Sequence, residues 1–288
     1  MLLVSAPKNQ DEITFRHLTP EDKPRLLEIA SGIWEGHDYL PHVFDRWVGE
    51  PDSYFAGIFL HGRLAGCGRL FHLDRGRAWL EALRVDPKLQ GRGLGRQIAE
   101  HVVRRGLEMG YEELLFSTYF GNEISIKVSE QAGFRKIATF TNLEIELSKA
   151  DTAATDPAVR IREGTAPTEG VVSNDWLLLP ADLEDRSPYL PNPLVISDAE
   201  CTLLLADNVK YGSRAQEICW VGGRASIDSL RTAIARAQRE GREYMHTMLP
   251  AAMDLTPWIE CGFSFFERKH DVYLYRARAS EIRLPPPA

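Results

Sequence analysis

Hydrophobic and polar positions alternate between strand-like and helix-like segments along the first half of the chain. Ile13 to His17 alternates as a strand does, and Thr19-Pro20-Glu21-Asp22 predicts a helix start with Thr19 as its N-cap. That helix reaches about Ser31, and Pro41 opens a second short helix through Trp47. Short polar turns separate the next three strand patterns, which predicts an antiparallel meander over 54–60, 63–72 and 78–85.

A glycine-rich segment, Gln90-Gly91-Arg92-Gly93-Leu94-Gly95, follows the third strand of this meander. Hydrophobic residues then recur at four-residue spacing from Leu94, which predicts a helix that Gly110 ends. A helix start offers unpaired N–H groups and partial positive charge, and glycines let the backbone approach an anion closely. Arg92 and Arg96 add charge nearby, so the segment predicts a site for a diphosphate.

Two kinds of nucleotide site fit this segment poorly. It lacks the Gly-Lys-Ser/Thr of a P-loop. A dinucleotide site needs G-x-G-x-x-G directly after a strand and an acid at the end of the next strand. Here the spacing is G-x-G-x-G, several residues past Val85, and the next strand ends in Ser117-Thr118.

The second half of the chain repeats the pattern of the first. The first half continues with a strand over 113–118, a helix over 122–131 and two more strands within 134–147. In the second half, Trp258-Ile-Glu-Cys-Gly-Phe matches Ser129-Glu-Gln-Ala-Gly-Phe, but the preceding helix opens with Gly223-Arg-Ala-Ser, without the glycine-rich segment. A degenerate internal repeat explains this, and the alternative is two unrelated α/β halves that share turn chemistry.

Composition narrows the classes of partner. The formal net charge of −7 argues against nucleic acid and anionic membranes, and no apolar run is long enough to span a membrane. The first ten residues do not resemble a signal peptide. The four cysteines lie far apart with no C-x-x-C, so we expect reduced thiols in a cytoplasmic protein and no metal site.

An ordered set of motifs resembles the GNAT acyltransferase superfamily over about residues 12 to 147. The set comprises Leu83-Arg84-Val85-Asp86-Pro87, Gln90-x-x-Gly93-x-Gly95, Asn122 and Gly133-Phe134. The segment from Gly32 to Pro41, together with Glu81 to Pro87, also resembles the group that includes the enzyme acetylating free histidine.

The resemblance implies an α/β (α+β) GNAT acyl-CoA N-acyltransferase fold, with a mixed, mostly antiparallel splayed sheet flanked by helices. We expect a catalytic domain over 1–148, a linker over 149–158, a second, degenerate GNAT-like domain over 159–280 and a disordered tail over 281–288. The implied cosubstrate is acetyl-CoA, without a metal. The residues expected to bind it are Leu83, Arg84, Val85, Gln90, Gly91, Arg92, Gly93, Leu94, Gly95, Arg96 and Asn122.

The same resemblance implies candidate catalytic residues. Glu81 lies beside the expected thioester and is the candidate general base, although a strand glutamate with no role or a ligand of the substrate ammonium fits equally. Ser129 stands where the superfamily commonly has a tyrosine that protonates the leaving thiolate. The proton donor is therefore open among Tyr119, Tyr39, water and the attacking amine, and Ser129 remains able to hydrogen-bond the sulfur.

The loop between the first two helices is the expected acceptor site. Its candidate substrate residues are Trp34, His37, Asp38 and Tyr39. They suit a small cationic or amphoteric molecule, and the alternative is a packed loop with a solvated rim. We therefore expect an N-acetyltransferase acting on a small-molecule amine such as an amino acid. Two alternatives stay open, a protein N-terminal or lysine acetyltransferase and a non-catalytic coenzyme A sensor, as does the oligomeric state.

Overall fold

The computed structural model describes residues 12–33, 36, 38–150, 158–165 and 167–286. The chain folds as two compact units. The first unit comprises Met1–His72 and Ala78–Tyr111, and the second comprises Leu73–Arg77 and Glu112–Ala288. This division differs from the predicted domain boundary at 149–158, so that boundary stays a prediction.

Among its described residues, the first unit contains four strands and three α-helices. The strands follow the order β1-β2-β3-β4 in the sheet. They are β1 (Ile13–His17), β2 (Ser53–Leu60), β3 (Arg63–Asp74) and β4 (Arg77–Val85). The helices are α1 (Lys23–Ser31), α2 (Leu40–Val48) and α3 (Leu94–Glu108). The predicted meander is confirmed, and the turn between β2 and β3 has φ of 50° at His61 and 77° at Gly62.

Helix α2 packs through one amphipathic face. Leu40, Val43, Phe44 and Trp47 recur at helical spacing and are all buried. Trp47 and Phe44 each pack against Phe55 of β2, with ring centroids 5.7 and 5.9 Å apart. The helix therefore covers the sheet with large aromatic side chains and leaves its other face to solvent.

The second unit contains a longer sheet, in the order β5-β15-β6-β13-β12-β11-β10-β7. Its strands are β5 (Glu113–Tyr119), β6 (Arg135–Glu146), β7 (Arg160–Glu163), β8 (Val172–Asn174), β9 (Leu177–Leu179), β10 (Leu194–Ser197), β11 (Cys201–Asn208), β12 (Gly212–Gly223), β13 (Tyr244–Pro250), β14 (Ser264–Phe265) and β15 (Val272–Arg278). Its helices are α4 (Glu123–Gln131), α5 (Ile227–Arg239) and α6 (Thr256–Glu260). β8 and β9 form a separate hairpin, and β14 pairs with β6.

The prediction of two strands within 134–147 is wrong, because β6 is one continuous strand. Its first part pairs with β15, from Arg135 to Phe140, and its second part pairs with β13, from Phe140 to Glu146. β15, from the end of the chain, lies between β5 and β6 and pairs with both. One strand from each half therefore completes the sheet of the other, which periodicity along the chain does not reveal.

The ends of α4 and α6 are built alike, as the repeat predicts. Gly133 and Gly262 follow these helices with φ of 103° and 93°. The N–H of Phe134 donates to the Ser129 carbonyl, and that of Phe263 donates to the Trp258 carbonyl, both at 3.0 Å. β12 and β13 pair in parallel, next to three antiparallel strands, so this part of the sheet is mixed.

The predicted tail over 281–288 stays a prediction, and its first residues adjoin a described turn. A short helical turn over Ala279–Glu281 follows β15, and the N–H of Arg283 donates to the Ala132 carbonyl at 3.0 Å. The carbonyl of Glu281 lies where a Cβ on Gly133 would sit, so residues 281–283 pack against the end of α4. In the described part of the chain, the helices are all too short or too polar to cross a membrane.

Candidate active site

The glycine-rich segment forms the entry to α3. After β4 the chain makes one short helical turn over Pro87–Leu89, which the Asp86 side chain caps by accepting from the Lys88 N–H at 2.9 Å. Gly91 and Gly93 then adopt left-handed conformations, with φ of 79° and 75°. Gly93 is the N-cap of α3 and provides no side chain to cap the helix. The first N–H groups of α3 therefore keep their donor capacity.

The space around these glycines suits a bulky anion. A Cβ built on Gly91 or Gly93 would meet no described atom within 4 Å. Gly95 lies in the first turn, where its Cβ position is 3.5 Å from Val85 Cγ2. Arg92 is exposed, and Arg96 donates to Glu100 at 2.6 Å. Open space, unused N–H donors and the positive helix end together fit a diphosphate such as that of coenzyme A.

The corresponding helix of the second half, α5, has its N-terminus capped by side chains of the protein. Ser226 is its N-cap, and the Ser226 Oγ accepts from the Ser229 N–H at 3.1 Å. The Asp198 carboxylate accepts hydrogen bonds from the hydroxyls of both Ser226 and Ser229. Ser226 therefore caps this helix start, and the Asp198 carboxylate takes the place that a ligand anion would need.

Strand β4 carries a distortion beside the candidate base. Ala82 is buried yet has φ of 58°, a conformation that residues with a side chain rarely adopt. Its carbonyl accepts from the Cys67 thiol at 3.4 Å, and burial raises the pKa of that thiol to about 12, so the donor proton is retained. The distorted residue, Ala82, lies between Glu81 and Leu83, and Leu83 is 36% exposed. Such bulges redirect side chains and main-chain groups near functional sites.

The Glu81 side chain is largely buried and paired with Arg69 of β3. The Arg69 guanidinium donates to Glu81 Oε1, to Glu50 Oε2 and, at 2.9 Å, to Ser53 Oγ. Sequence reasoning missed Arg69 and Glu50. The detectable signal was an arginine at an inward position of a strand, β3, that is otherwise apolar over much of its length.

Two of the predicted acceptor residues contact a residue assigned to the cofactor. Arg84 Nε donates to Asp38 Oδ2 at 2.7 Å, and the Arg84 guanidinium lies 5.3 Å from the centre of the Tyr39 ring. Burial acts to lower the pKa of Arg84, but the neighbouring Tyr39 and Asp38 outweigh it and raise that pKa. The Arg84 side chain thus points to the acceptor loop. Trp34 and His37 lie outside the described residues.

Asp38 also shapes the start of α2. Its Oδ1 accepts from the Leu40 N–H at 3.0 Å, and its side chain is almost fully buried. Tyr39 packs edge-on against Trp47, with centroids 5.9 Å apart, and Trp47 in turn stacks on Arg69. Two buried ion pairs, Arg84–Asp38 and Arg69–Glu81, are therefore joined through one aromatic pair within the first unit.

The remaining predicted residues lie in the second unit. Asn122 is the N-cap residue of α4, and its Nδ2 donates to Thr118 Oγ1 at 2.9 Å. Tyr119 ends β5, where it is half-buried and pairs with Val272. Ser129 lies in α4 and is also half-buried. These positions leave the roles of the three residues as predictions.

A second polar cluster was not predicted. Glu217-Ile-Cys-Trp-Val221 of β12 has the same spacing as Glu81-Ala-Leu-Arg-Val85 of β4. Glu217 lies near Asp175 and His246, and their ligating atoms fall within 4.8 Å of one another, so these three could approach a metal ion. Lys210 Nζ lies 2.7 Å from Asp175 Oδ2, however, and this ammonium already balances one carboxylate.

The β8–β9 hairpin connects that cluster to β5. Asp175 and Trp176 form its turn, and the Trp176 carbonyl accepts a hydrogen bond from the Ser117 hydroxyl of β5. Asp182, just beyond the hairpin, pairs with Arg77 at the start of β4, at 2.6 Å. The second half therefore makes direct polar contacts with strands of the first half.

Known proteins resemble this chain in sequence. Residues 18–134 match the Acetyltransferase (GNAT) family. Histidine N-acetyltransferase of Xenopus tropicalis is 23% identical over 219 residues, which are 73% of this chain and 65% of that protein. N-alpha-acetyltransferase RimI of Mycobacterium tuberculosis is 28% identical over 97 residues, which are 32% of this chain and 61% of that protein. Each alignment thus spans less than two thirds of the curated relative.

A solved structure resembles the chain over most of its length. The tandem GNAT protein from the clavulanic acid biosynthesis pathway has a TM-score of 0.58 and 13% identity, over 93% of this chain and 99% of that one. At this identity the likeness shows the fold, and it covers both halves. Residues 18–134 therefore resemble the Acetyltransferase (GNAT) family in sequence, and the chain has the fold of a tandem GNAT protein.

Proposed function

We propose that the protein transfers the acetyl group of acetyl-CoA to the amine of a small molecule, with an amino acid as the favoured class of acceptor. The observation that carries this proposal is the uncapped start of α3, which is open around Gly93 and follows the strand that bears Glu81. Gly91, Gly93 and the first N–H groups of α3 would hold the diphosphate, with Arg92 adding charge. Bound acetyl-CoA supplies an activated thioester.

The chain's own residues would prepare the amine. An amine of ordinary basicity is protonated at neutral pH and must lose a proton before it can attack. Glu81 would accept that proton, directly or through a water molecule. The amine nitrogen then forms a bond to the acetyl carbon, the carbon–sulfur bond breaks, and the departing sulfur takes a proton. Tyr119, Tyr39, water and the amine itself remain the candidate sources of that last proton, and Ser129 would hydrogen-bond the sulfur.

One observation favours a small-molecule acceptor over a protein. The alignment with the histidine enzyme extends over 219 residues, whereas that with RimI is confined to 97. Asp38 and Tyr39 would contact the acceptor.

Release of free thiol from acetyl-CoA tests this proposal against a panel of free amino acids, polyamines and short peptides. We expect turnover with a free amino acid and little with peptides. Turnover confined to peptides with free N-termini or lysines would establish a protein acetyltransferase instead. Tight binding of acetyl-CoA without turnover on any acceptor would establish a sensor.

A further inference from the structure

Arg69 is a buried cation in the middle of an apolar strand. Its side chain is only 4% exposed, and its guanidinium lies between two rings, 4.1 Å from the centre of Trp47 and 4.4 Å from that of Phe71. Burying a charge is costly unless it is paired and hydrogen-bonded. A leucine or methionine would fill the same space without that cost, so the charge itself calls for an explanation.

The guanidinium is held on every side. Its Nε donates to Ser53 Oγ, its Nη2 to Glu50 Oε2 and its Nη1 to Glu81 Oε1. Ser53 begins β2, Glu50 follows α2 and Glu81 lies on β4. The two rings restrict movement perpendicular to the guanidinium plane, and the three acceptors restrict movement within it. Glu81 is therefore attached to a group that has almost no freedom to move.

The two carboxylates that accept from Arg69, those of Glu50 and Glu81, differ in their exposure to solvent. Glu50 is 37% exposed and also lies 3.9 Å from Arg46, so it faces water and a second cation. Glu81 is 11% exposed and has Arg69 as its cationic partner. Arg69 thus fixes the orientation of Glu81.

We propose that Arg69 is the positioning residue for the proton-accepting carboxylate. It holds Glu81 in one orientation, with Oε1 engaged, so that the carboxylate is placed to receive the proton of the acceptor amine. This inference rests on the proposed function, and on Glu81 as the base within it. Arg69 itself touches neither substrate, and its effect passes through Glu81.

The test compares Arg69→Gln and Arg69→Lys with the unaltered protein, by kcat and by KM for each substrate. Loss of the orientation of Glu81 should lower kcat and leave KM for acetyl-CoA unchanged, because Arg69 acts only through Glu81. We expect kcat to fall by ~10²-fold, the scale of a misplaced catalytic group. Arg69→Lys should restore part of the rate, because it keeps the charge but loses the fork of donors.

Arg16→Gln is the matched control. Arg16 also stacks on a ring, 4.0 Å from the centre of Phe59, and pairs with Asp22 through two hydrogen bonds of 2.7 and 2.8 Å. It lies on β1, two strands away from the β3–β4 pair that carries Arg69 and Glu81. Its loss should reduce stability without lowering kcat. An equal fall of kcat in both variants would refute the positioning role.

Combining Arg69→Gln with Glu81→Gln separates this inference from the proposed function. If Arg69 acts through Glu81, the double variant should be no slower than Glu81→Gln alone. Additive losses would overturn the inference while leaving Glu81 as the base. If Glu81→Gln turns over as fast as the unaltered protein, Glu81 is not the general base, and that part of the proposed function is wrong. Circular dichroism of each variant shows whether it is folded. If Arg69→Gln does not fold, Arg69→Lys takes its place in the comparison with Glu81→Gln.

Discussion

Ser226 Oγ accepts a hydrogen bond from the Ser229 N–H at the start of α5, whereas Gly93 leaves the start of α3 uncapped. The two halves thus share an element but differ in whether it can receive an anion. We predict that calorimetric titration gives one acetyl-CoA per chain. Two sites per chain would contradict the closed helix start in the second half.

Gly93→Ala should weaken acetyl-CoA binding by at least ~10-fold, because its Cβ would meet none of the described residues within 4 Å and would intrude on the bound diphosphate. Gly110→Ala is its matched control. Gly110 follows the other end of α3 with φ of 85° and equally open space, so both variants carry the same backbone cost. Equal affinities of the two variants for acetyl-CoA would show that the diphosphate does not bind at the start of α3.

Glu81→Gln should lower kcat by ~10²–10⁴-fold, the usual contribution of a general base. Acetyl-CoA binding should persist, because Glu81 lies away from the glycine segment in the sequence and is held by Arg69. Steady-state kinetics and calorimetry measure the two effects separately. Glu28→Gln removes an exposed carboxylate paired with Arg25 and should leave both kcat and acetyl-CoA binding unchanged. A normal rate in Glu81→Gln would show that another group is the base.

Asp38→Asn should destabilise the protein by about 3–5 kcal/mol, because it leaves Arg84 buried without its anionic partner. It should also raise KM for the acceptor. Asp45→Asn is the control, since Asp45 pairs with Lys23 but its side chain is 70% exposed, and such pairs contribute roughly 0–1 kcal/mol. Chemical denaturation measures the difference. Similar losses in the two variants would show that the Arg84–Asp38 pair has no special role in stability.

Glu217 should make the stability of the protein depend on pH. Burial raises the pKa of Glu217 to about 7 from the ordinary 4.5. Asp175 also raises this pKa and His246 lowers it, while Lys210 partly neutralises Asp175. The folded state therefore holds a proton that the unfolded state releases, so stability falls as pH rises from about 4.5 to about 7.

Glu217→Gln removes this titration, and we expect denaturation midpoints at pH 5 and pH 7.5 to lie closer together than in the unaltered protein. Glu163→Gln, at an exposed glutamate of β7, serves as the control and should leave the difference unchanged. If Glu217→Gln retains the full dependence on pH, other groups must cause it.

The sequence by itself determined the local features of this protein. The Thr19 helix start, the turn at His61-Gly62, the glycine entry to α3 and the Ser226 cap all follow from residues within a few positions of one another. Capping and left-handed turns depend on short-range sterics and hydrogen bonds, so residue type and spacing are enough to predict them. The order of such features along the chain was also enough to indicate the family.

Only the tertiary structure decided which distant groups meet. Arg84 and Asp38 are 46 residues apart, and Arg69 reaches Glu81 across 12. The position of β15 between β5 and β6 is likewise invisible along the chain. Alternating apolar residues make several strand pairings equally compatible, and the choice among them depends on burial summed over the whole sheet. For the same reason, sequence placed Glu81 on its strand, but only the folded sheet set Arg69 beside it.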